Sequence, residues 1–186
     1  MTILSINKRR PKDASWILYA WNRGKNMTEV VFKPIGVIRT GFGDIEGMPI
    51  QPLGAKGIKG VVELYPEYAQ GLQDIEGYSH LILIYQFHLS KSYDLLVKPF
   101  LDSKLRGIFS TRAPKRPNPI GLSIVRLLAV KENKLEIEDV DIVDNTPLLD
   151  IKPFVSDFDN RYDTKNGWLS DKQLKARGKR SDGRFG

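Results

Sequence analysis

Short apolar runs, each about the length of a strand, recur through the middle of this 186-residue chain. Runs rich in leucine and β-branched residues, bounded by polar turns, predict strands. They cover residues 33–39, 60–64, 80–88, 107–109, 122–130 and 134–138. The almost continuously apolar run from His80 to His88 predicts a strand that is buried on both faces. Pro66–Leu72 predicts helical turns, because proline stands near the first position and Gly71 near the end.

These patterns together indicate a mainly β protein. Residues 134–138 alternate polar and apolar side chains, as a half-buried strand does, and Lys131-Glu132-Asn133 has the length of a hairpin connection. Many short strands with little helix predict a small single-domain β-barrel with short helices. The chain contains no Gly-x-Gly-x-x-Gly or phosphate-loop motif, which disfavours a Rossmann-type nucleotide fold.

Positive charge is concentrated at the two ends of the chain. The formal net charge is +7, with +5 in residues 1–26, +5 in residues 165–186 and −3 between them. Basic tails often add electrostatic affinity for nucleic acid, but they also serve as solvated segments that aid solubility, and both interpretations stay open. We therefore expect a basic N-terminal extension (1–27), a barrel domain (28–164) and a basic C-terminal tail (165–186).

Composition excludes several classes of chemistry. The chain has no cysteine, which rules out disulfides, thiolate metal sites and cysteine nucleophiles and indicates a reducing cytoplasm. Two histidines are too few to favour a zinc enzyme. The N-terminus lacks a signal-peptide pattern, and the longest apolar run is too short to cross a bilayer. We expect a cytoplasmic protein without a bound metal.

Residues 110–123 form the most unusual loop of the chain. Three prolines, each of which fixes φ and pushes its predecessor toward extended geometry, predict a rigid non-helical loop. Such a loop would hold Arg112, Arg116 and Asn118 in set directions, suited to a carboxylate, a phosphate or a nucleobase edge. The alternative is a proline-rich connector with solvated arginines.

A second unusual segment, residues 139–154, places four aspartates in an otherwise apolar stretch. Residues 144–147 predict a turn, with the Asp144 carboxylate accepting from backbone N–H groups. Asp141 and Asp150 stand next to apolar residues and need partners. Candidate partners are Arg112, Arg116 and Lys152. The segment is therefore either the rim of a ligand pocket or a structural ion-pair network, and its spacing matches no metal motif.

With these motifs in order, the chain resembles the TrmO family, also called TsaA-like or YaeB-like proteins. The resemblance covers about residues 30–160 and rests on segments 34–40, 49–51, 60–72, 77–81, 111–121 and 141–154. The Arg-x-x-x-Arg-Pro-Asn-Pro-Ile-Gly loop and the Asp-x-Thr-Pro-Leu-Leu-Asp-Ile-Lys-Pro segment are together highly specific.

The resemblance implies a small β-barrel methyltransferase that uses S-adenosylmethionine and commonly forms a homodimer. Members of the family methylate the exocyclic nitrogen of threonylcarbamoyl-modified adenosine beside the anticodon of tRNA. Bacterial members carry a further domain after the barrel, whereas this chain ends soon after the matching core. We expect either that the basic tails replace some RNA contacts of that domain or that the substrate range differs.

The resemblance also implies site residues. Arg112 is the first choice for binding the cofactor, and family position adds Gln51, Pro52, Leu53, Leu122, Glu138, Asp139, Val140 and Asp141. A general base would help an amide-like N–H to attack, and the candidates, which the sequence does not rank, are Asp144, Asp150 and His80. Arg116, Asn118 and Lys152 would hold the RNA phosphate or the threonyl carboxylate. Tyr65, Tyr68 and Tyr78 are offered as base stackers, although core packing is the more ordinary role for each.

Two rival functions remain at this point. One is a non-catalytic RNA-binding barrel whose arginine loop contacts phosphate, and the other is the same methyl-transfer chemistry on another substrate. Binding of S-adenosylmethionine separates the first rival from an enzyme, because a plain RNA-binding module has no use for the cofactor.

Overall fold

The computed structural model of the protein describes residues 29–170 and 178–185. The chain divides into two units, residues 1–33 and residues 34–186. Residues 29–33 of the first unit contain no helix or strand, and the expected basic extension, residues 1–27, lies outside the described residues.

The second unit is built on a closed barrel. Its strands are β1 (Gly36–Thr40), β2 (Lys59–Leu64), β3 (His80–Gln86), β4 (Leu96–Val97), β5 (Arg106–Gly107), β6 (Ile120–Lys131), β7 (Lys134–Glu138) and β8 (Thr146–Pro153). Six of them close in the order β1-β2-β7-β6-β3-β8, with every neighbouring pair antiparallel, and β4 and β5 pair separately. The predicted mainly β barrel is confirmed.

Helices in the described residues are short. The single α-helix, α1, spans Ser156–Asp159, and 3₁₀ turns cover Pro52–Gly54, Pro66–Leu72, Ile75–Gly77, Ile108–Ser110 and Gly167–Leu169. The predicted helical turns at residues 66–72 are therefore present as 3₁₀ helix. None of the helices in residues 29–170 and 178–185 has the length and apolar character needed to cross a membrane.

The barrel interior is filled from alternate positions of its strands. In β3, Leu81, Leu83 and Tyr85 point inward and are at most 5% exposed. Ile82 and Ile84 lie on the outer wall and are half-buried. The prediction that this strand is buried on both faces is wrong, because a barrel has one interior and its outer wall faces solvent wherever no other element covers it.

Two strand predictions differ from the structure. Residues 107–109 are not one strand, since β5 ends at Gly107 and a 3₁₀ turn follows. Strand β8 was not predicted, because its two prolines and Asp150 are unfavourable in strands. It forms because Leu148 fills the barrel interior and both neighbouring strands, β1 and β3, pair with it.

A second, smaller core lies beside the barrel and includes the end of the chain. It contains the buried side chains of Val97, Ile108, Ala113 and Phe185, with Phe100 packed against them. Nearby, Pro49 and Arg180 form an isolated β-bridge, and the Ser181 N–H donates to the Met48 carbonyl at 2.8 Å. Residues 180–185 thus tie the 47–54 loop to the loop that follows β5.

Candidate functional site

One cavity of about 1000 Å³ opens at the end of the barrel where β3 finishes and β6 begins. Its walls come from parts of five segments, namely 45–53, 85–90, 99–101, 109–124 and 141–146, although not every residue of these segments lines it. Trp168, Leu169, Ser181 and Phe185 add wall from the C-terminal part of the chain. This volume is at the upper end of the range for small-molecule sites, which is about 300–1000 Å³. The two unusual segments of the sequence therefore meet at one cavity.

The proline-rich loop and the 47–54 loop face each other across this cavity. The guanidinium Nη1 of Arg112 lies 3.4 Å from the side-chain oxygen of Gln51, a long hydrogen bond. Arg112 is exposed and is not used to hold the loop together. Its charge is thus available to a ligand.

The loop is instead fastened by Arg116. Its Nη1 lies within 3.0–3.4 Å of the carbonyl oxygens of Ile108, Thr111 and Ala113, and its guanidinium carbon lies 5.8 Å from the ring centre of Phe109. These contacts organise the backbone around Arg112. The rigidity predicted from the prolines is thereby reinforced by a side chain of the loop itself.

A chain of hydroxyl groups runs from the barrel core to the cavity. The Tyr85 hydroxyl lies 3.0 Å from Ser123 Oγ, which donates to Asp141 Oδ1 at 2.7 Å. Burial raises the pKa of Asp141 to about 6, against the opposing effects of the Ser123 hydrogen bond and the Arg112 charge. Burial also raises the pKa of Tyr85, so its phenol stays protonated at neutral pH. Asp141 is therefore a carboxylate held in a fixed orientation at the cavity wall.

His88 follows β3 and also lines the cavity. Burial, followed by the charge of Lys91, lowers the pKa of His88, so its imidazole is neutral at neutral pH. Its Nδ1 lies 3.4 Å from Thr146 Oγ1. A neutral imidazole is able to accept a proton at this position.

Comparison with known proteins identifies the family. The family model for the tRNA-methyltransferase O N-terminal domain matches residues 37–160. The chain belongs to the TrmO family.

Several relatives of the chain carry names that describe their ligand or activity. A Pyrococcus abyssi protein called a probable S-adenosyl-L-methionine-binding protein is 51% identical over 156 residues, covering 84% of this chain and 85% of its own length. A mouse protein called tRNA (adenine(37)-N6)-methyltransferase is 33% identical over 150 residues, covering 76% of this chain and 33% of its own length.

Solved TrmO structures share the fold. The crystal structure of TrmO from Pseudomonas aeruginosa matches with a TM-score of 0.64 and 36% identity, over 75% of this chain and 62% of that one. A second TrmO crystal structure matches with a TM-score of 0.65 and 38% identity, over 75% of this chain and 64% of that one. The chain thus spans less than two thirds of either solved TrmO chain.

Most of the residues that the TrmO resemblance assigned to the cofactor lie together. Those that line the cavity are Gln51, Pro52, Leu53, Arg112, Leu122 and Asp141. The remaining three do not line it. Asp139 accepts from the Gly57 N–H at 2.8 Å, Val140 is fully buried in the core, and Glu138 pairs with neighbouring strands at the end of β7. Residues 138–140 therefore lead the chain toward the cavity, which it reaches at Asp141.

None of the three candidates for the general base is among the residues that line the cavity. Asp144 accepts from the Thr40 N–H at 3.0 Å and so joins the turn before β8 to the end of β1. Asp150 forms an exposed ion pair with Lys152 at 2.7 Å on the outer wall. His80 begins β3, five residues and roughly 17 Å from Tyr85 along the strand, and contacts Ser79 and Phe154. Their positions do not support direct proton transfer at the cavity.

The predicted substrate-binding residues are divided. Arg116 lines the cavity, whereas Asn118 and Lys152 do not. Asn118 is exposed beside the cavity entrance, and its carbonyl accepts from the Ile120 N–H at 2.8 Å. The tyrosines offered as stackers, Tyr65, Tyr68 and Tyr78, are 38–41% exposed rather than packed in the core, and they too lie outside the cavity lining.

Four features of the site were not predicted from the sequence. Tyr85 and Ser123 look like ordinary strand residues, and only the register of β3 with β6 brings their hydroxyls together. His88 was noted only as the end of an apolar run. The burial of Ser181 and Phe185 was not predicted, because a charged C-terminal tail is typical of a solvated segment.

Proposed function

We propose that this protein binds S-adenosylmethionine in the cavity and transfers its methyl group to the exocyclic nitrogen of threonylcarbamoyl-modified adenosine beside a tRNA anticodon. The observation that carries the proposal is the convergence of Gln51, Arg112 and Asp141 on one cavity. Relatives named as S-adenosylmethionine-binding proteins and a relative named as a tRNA adenine methyltransferase support the cofactor and the substrate class.

The residues of the cavity fit the cofactor. S-adenosylmethionine presents a carboxylate, an ammonium group, a sulfonium and an adenosine. The exposed guanidinium of Arg112 suits the carboxylate, and the fixed carboxylate of Asp141 suits the ammonium. Leu53, Leu122 and Phe87 supply apolar wall for the remainder. A cavity of about 1000 Å³ leaves room for a nucleoside next to the cofactor.

The cofactor supplies a methyl group already activated by the sulfonium charge. The protein residues then have two tasks: to hold the acceptor nitrogen in line with the methyl group and to remove the proton of that nitrogen. For the second task we propose His88, because its neutral imidazole lines the same cavity, whereas Asp144, Asp150 and His80 do not line it. Lys115, a half-buried residue of the same loop, supplies further positive charge for phosphate.

We also propose that the protein forms a homodimer through the outer wall of β3 and β6. Ile120, Leu122, Ile124 and Leu128 are 38–51% exposed on this wall, next to Ile82 and Ile84. The first three also line the cavity, so the second copy would lie beside the cavity. A row of exposed aliphatic side chains on a sheet face suits association with a second copy. Leu128→Glu should yield monomers in sedimentation velocity, whereas Leu105→Glu, at an exposed site outside this wall, should leave the dimer intact. A monomeric wild type would refute the homodimer proposal. The cytoplasmic location stays a prediction.

The test of the catalytic proposal is methyl transfer. Purified protein is incubated with S-adenosylmethionine labelled in the methyl group and with tRNA that does or does not carry the threonylcarbamoyl group. Label transfer to modified tRNA alone is the expected result. Cofactor binding with transfer to another RNA would replace the substrate, and tRNA binding without cofactor binding would favour the non-catalytic RNA-binding barrel.

A further inference from the structure

Phe109 is unusually exposed for a phenylalanine that lines a cavity. It lies in the 3₁₀ turn Ile108–Ser110, which buries Ile108 in the smaller core at 1% exposure and leaves Phe109 75% exposed. An apolar ring of this size gains free energy when it is removed from water, by about 25 cal/mol per Å² of apolar surface. A ring left in water at the entrance of a cavity therefore favours an occupant with an apolar face.

Trp168 is held beside the same turn. Its indole N–H donates to the Ser110 carbonyl at 2.8 Å, and the guanidinium carbon of Arg106 lies 5.4 Å from its ring centre. Trp168 also lines the cavity, although it lies beyond residues 37–160, which the family model matches. The cavity therefore has an aromatic wall, Phe109 and Trp168, one member of which comes from the chain after the matched region.

The charge around this aromatic wall selects the class of occupant. Residues 103–123 contain five Lys or Arg and no Asp or Glu. Arg106 is paired with Asp102 at 2.6 Å, Arg116 is bound to backbone carbonyls, and Arg112 is assigned to the cofactor. Exposed Lys104 and half-buried Lys115 supply the positive charge for phosphate. Exposed rings interleaved with cations are typical of sites that bind single-stranded nucleic acid, where bases stack and phosphates meet positive charge.

We propose that Phe109 and Trp168 stack an unpaired base of the RNA substrate at the entrance of the cavity. The inference rests on the proposed function, because it assigns the residues that would hold the RNA while the Gln51–Arg112–Asp141 side of the cavity holds the cofactor. The ring of Phe109 is three-quarters exposed. Because Arg116 lies near one side of this ring, the base would stack on its other side.

The first experiment measures the affinity of a fluorescein-labelled single-stranded RNA of about ten nucleotides, a length that spans one binding site. Because stacking is typically worth about 1–3 kcal/mol per base, Phe109→Ala should weaken binding by about 5- to 150-fold. Phe109→Trp should restore it and Phe109→Leu should not, because leucine keeps the apolar contact but lacks the ring. Phe158→Ala, at a phenylalanine that is 71% exposed in α1, is the matched control and should leave RNA affinity unchanged.

Salt dependence separates stacking from charge. Stacking releases no counterions, so Phe109→Ala should lower the affinity at every salt concentration without changing the slope of log affinity against log salt. RNA affinity of Phe109→Ala within twofold of wild type would overturn the proposal, as would equal rescue by Leu and Trp. Calorimetric titration of the same variant with S-adenosylmethionine should give wild-type affinity, and a parallel loss there would assign the aromatic wall to the cofactor instead.

Trp168 provides a direct readout. The chain has three tryptophans, so Trp16→Phe combined with Trp21→Phe leaves Trp168 as the sole indole. RNA should quench its fluorescence, and S-adenosylmethionine alone should not. Binding of RNA, seen by anisotropy, without quenching would remove Trp168 from the site. Because none of these measurements requires methyl transfer, failure of the stacking proposal and failure of the proposed reaction are distinguishable.

Discussion

Gly121 faces the ring of Tyr85 across the β3–β6 pairing, and a β-carbon added at residue 121 would clash with Cε2 of that ring. The ring is 5% exposed in the barrel core, and its hydroxyl begins the hydrogen-bonded chain to Ser123 and Asp141. The missing side chain at residue 121 therefore sets the position of the tyrosine and, through two hydroxyl contacts, supports the carboxylate at the cavity.

Gly121→Ala should destabilise the protein and weaken cofactor binding together. Overpacking of a core typically costs about 1–3 kcal/mol, and a displaced Tyr85 loses its contact with Ser123. Urea unfolding measures the first effect and calorimetric titration with S-adenosylmethionine the second. Gly107→Ala is the control, because a β-carbon there meets nothing within 4 Å. Equal behaviour of the two variants would contradict this account of Gly121.

Asp141 should make the stability of the cofactor-free protein depend on pH. Its pKa is about 6 in the folded state, above the value of about 3.9 expected for an unfolded chain. The folded state therefore holds this proton more tightly, and the contribution of Asp141 to the free energy of unfolding falls as pH rises from about 4 to 6.

Asp141→Asn removes this titration. Relative to wild type, its free energy of unfolding should increase across the same window by on the order of 1–3 kcal/mol, as measured by urea unfolding at several pH values. A difference between the two proteins that stays constant from pH 4 to pH 7 would show that Asp141 titrates normally.

Cofactor affinity should also depend on the protonation of Asp141, but here the ionised carboxylate is the favoured form. An ammonium group binds the ionised form of Asp141, so affinity for S-adenosylmethionine should fall by up to about tenfold per pH unit below pH 6. Calorimetry from pH 5 to 7.5 measures this dependence. Asp141→Asn should bind weakly with little pH dependence, whereas a wild-type profile that is flat down to pH 5 would refute the ammonium contact.

The end of the chain should support the site. Phe185 is 5% exposed and packs edge-on against Phe100 at 5.0 Å between ring centres, in the core that carries the 108–113 turn. Phe185→Ala should reduce the free energy of unfolding by about 2 kcal/mol or more and weaken cofactor binding by loosening the loop of Arg112. Tyr162→Ala, at a residue that is 92% exposed, should change neither quantity. Wild-type stability of Phe185→Ala would mean that the end of the chain does not hold the loop.

Strand periodicity predicted much of the barrel, because burial in a barrel alternates along each strand. Strand β7 and the hairpin that joins it to β6 follow directly from local pattern. Strand β8 does not, since Pro147, Asp150 and Pro153 disfavour a strand locally and pairing with β1 and β3 overrides that preference.

The candidate site also has a part that local sequence predicts and a part that it does not. The prolines and arginines of the 110–123 loop predict a rigid ligand-binding loop, and Arg112 lines the cavity in the structure. The aspartates of residues 139–150 look equivalent in sequence, yet Asp141 alone of the four lines the cavity, while Asp144 and Asp150 have structural partners. Three-dimensional register decides which carboxylate faces the ligand, and no local pattern encodes it.

The proposed function depends most directly on Arg112, through which the cavity side of the proline-rich loop would bind S-adenosylmethionine. Calorimetric titration of Arg112→Ala tests it against Arg126→Ala, which removes another exposed arginine from the outer wall of the barrel. A hydrogen bond to a charged group is typically worth about 1.5–3 kcal/mol, so Arg112→Ala should bind about 10- to 150-fold more weakly and Arg126→Ala within about twofold of wild type. If Arg112→Ala binds the cofactor within about twofold of wild type, Arg112 does not bind the cofactor.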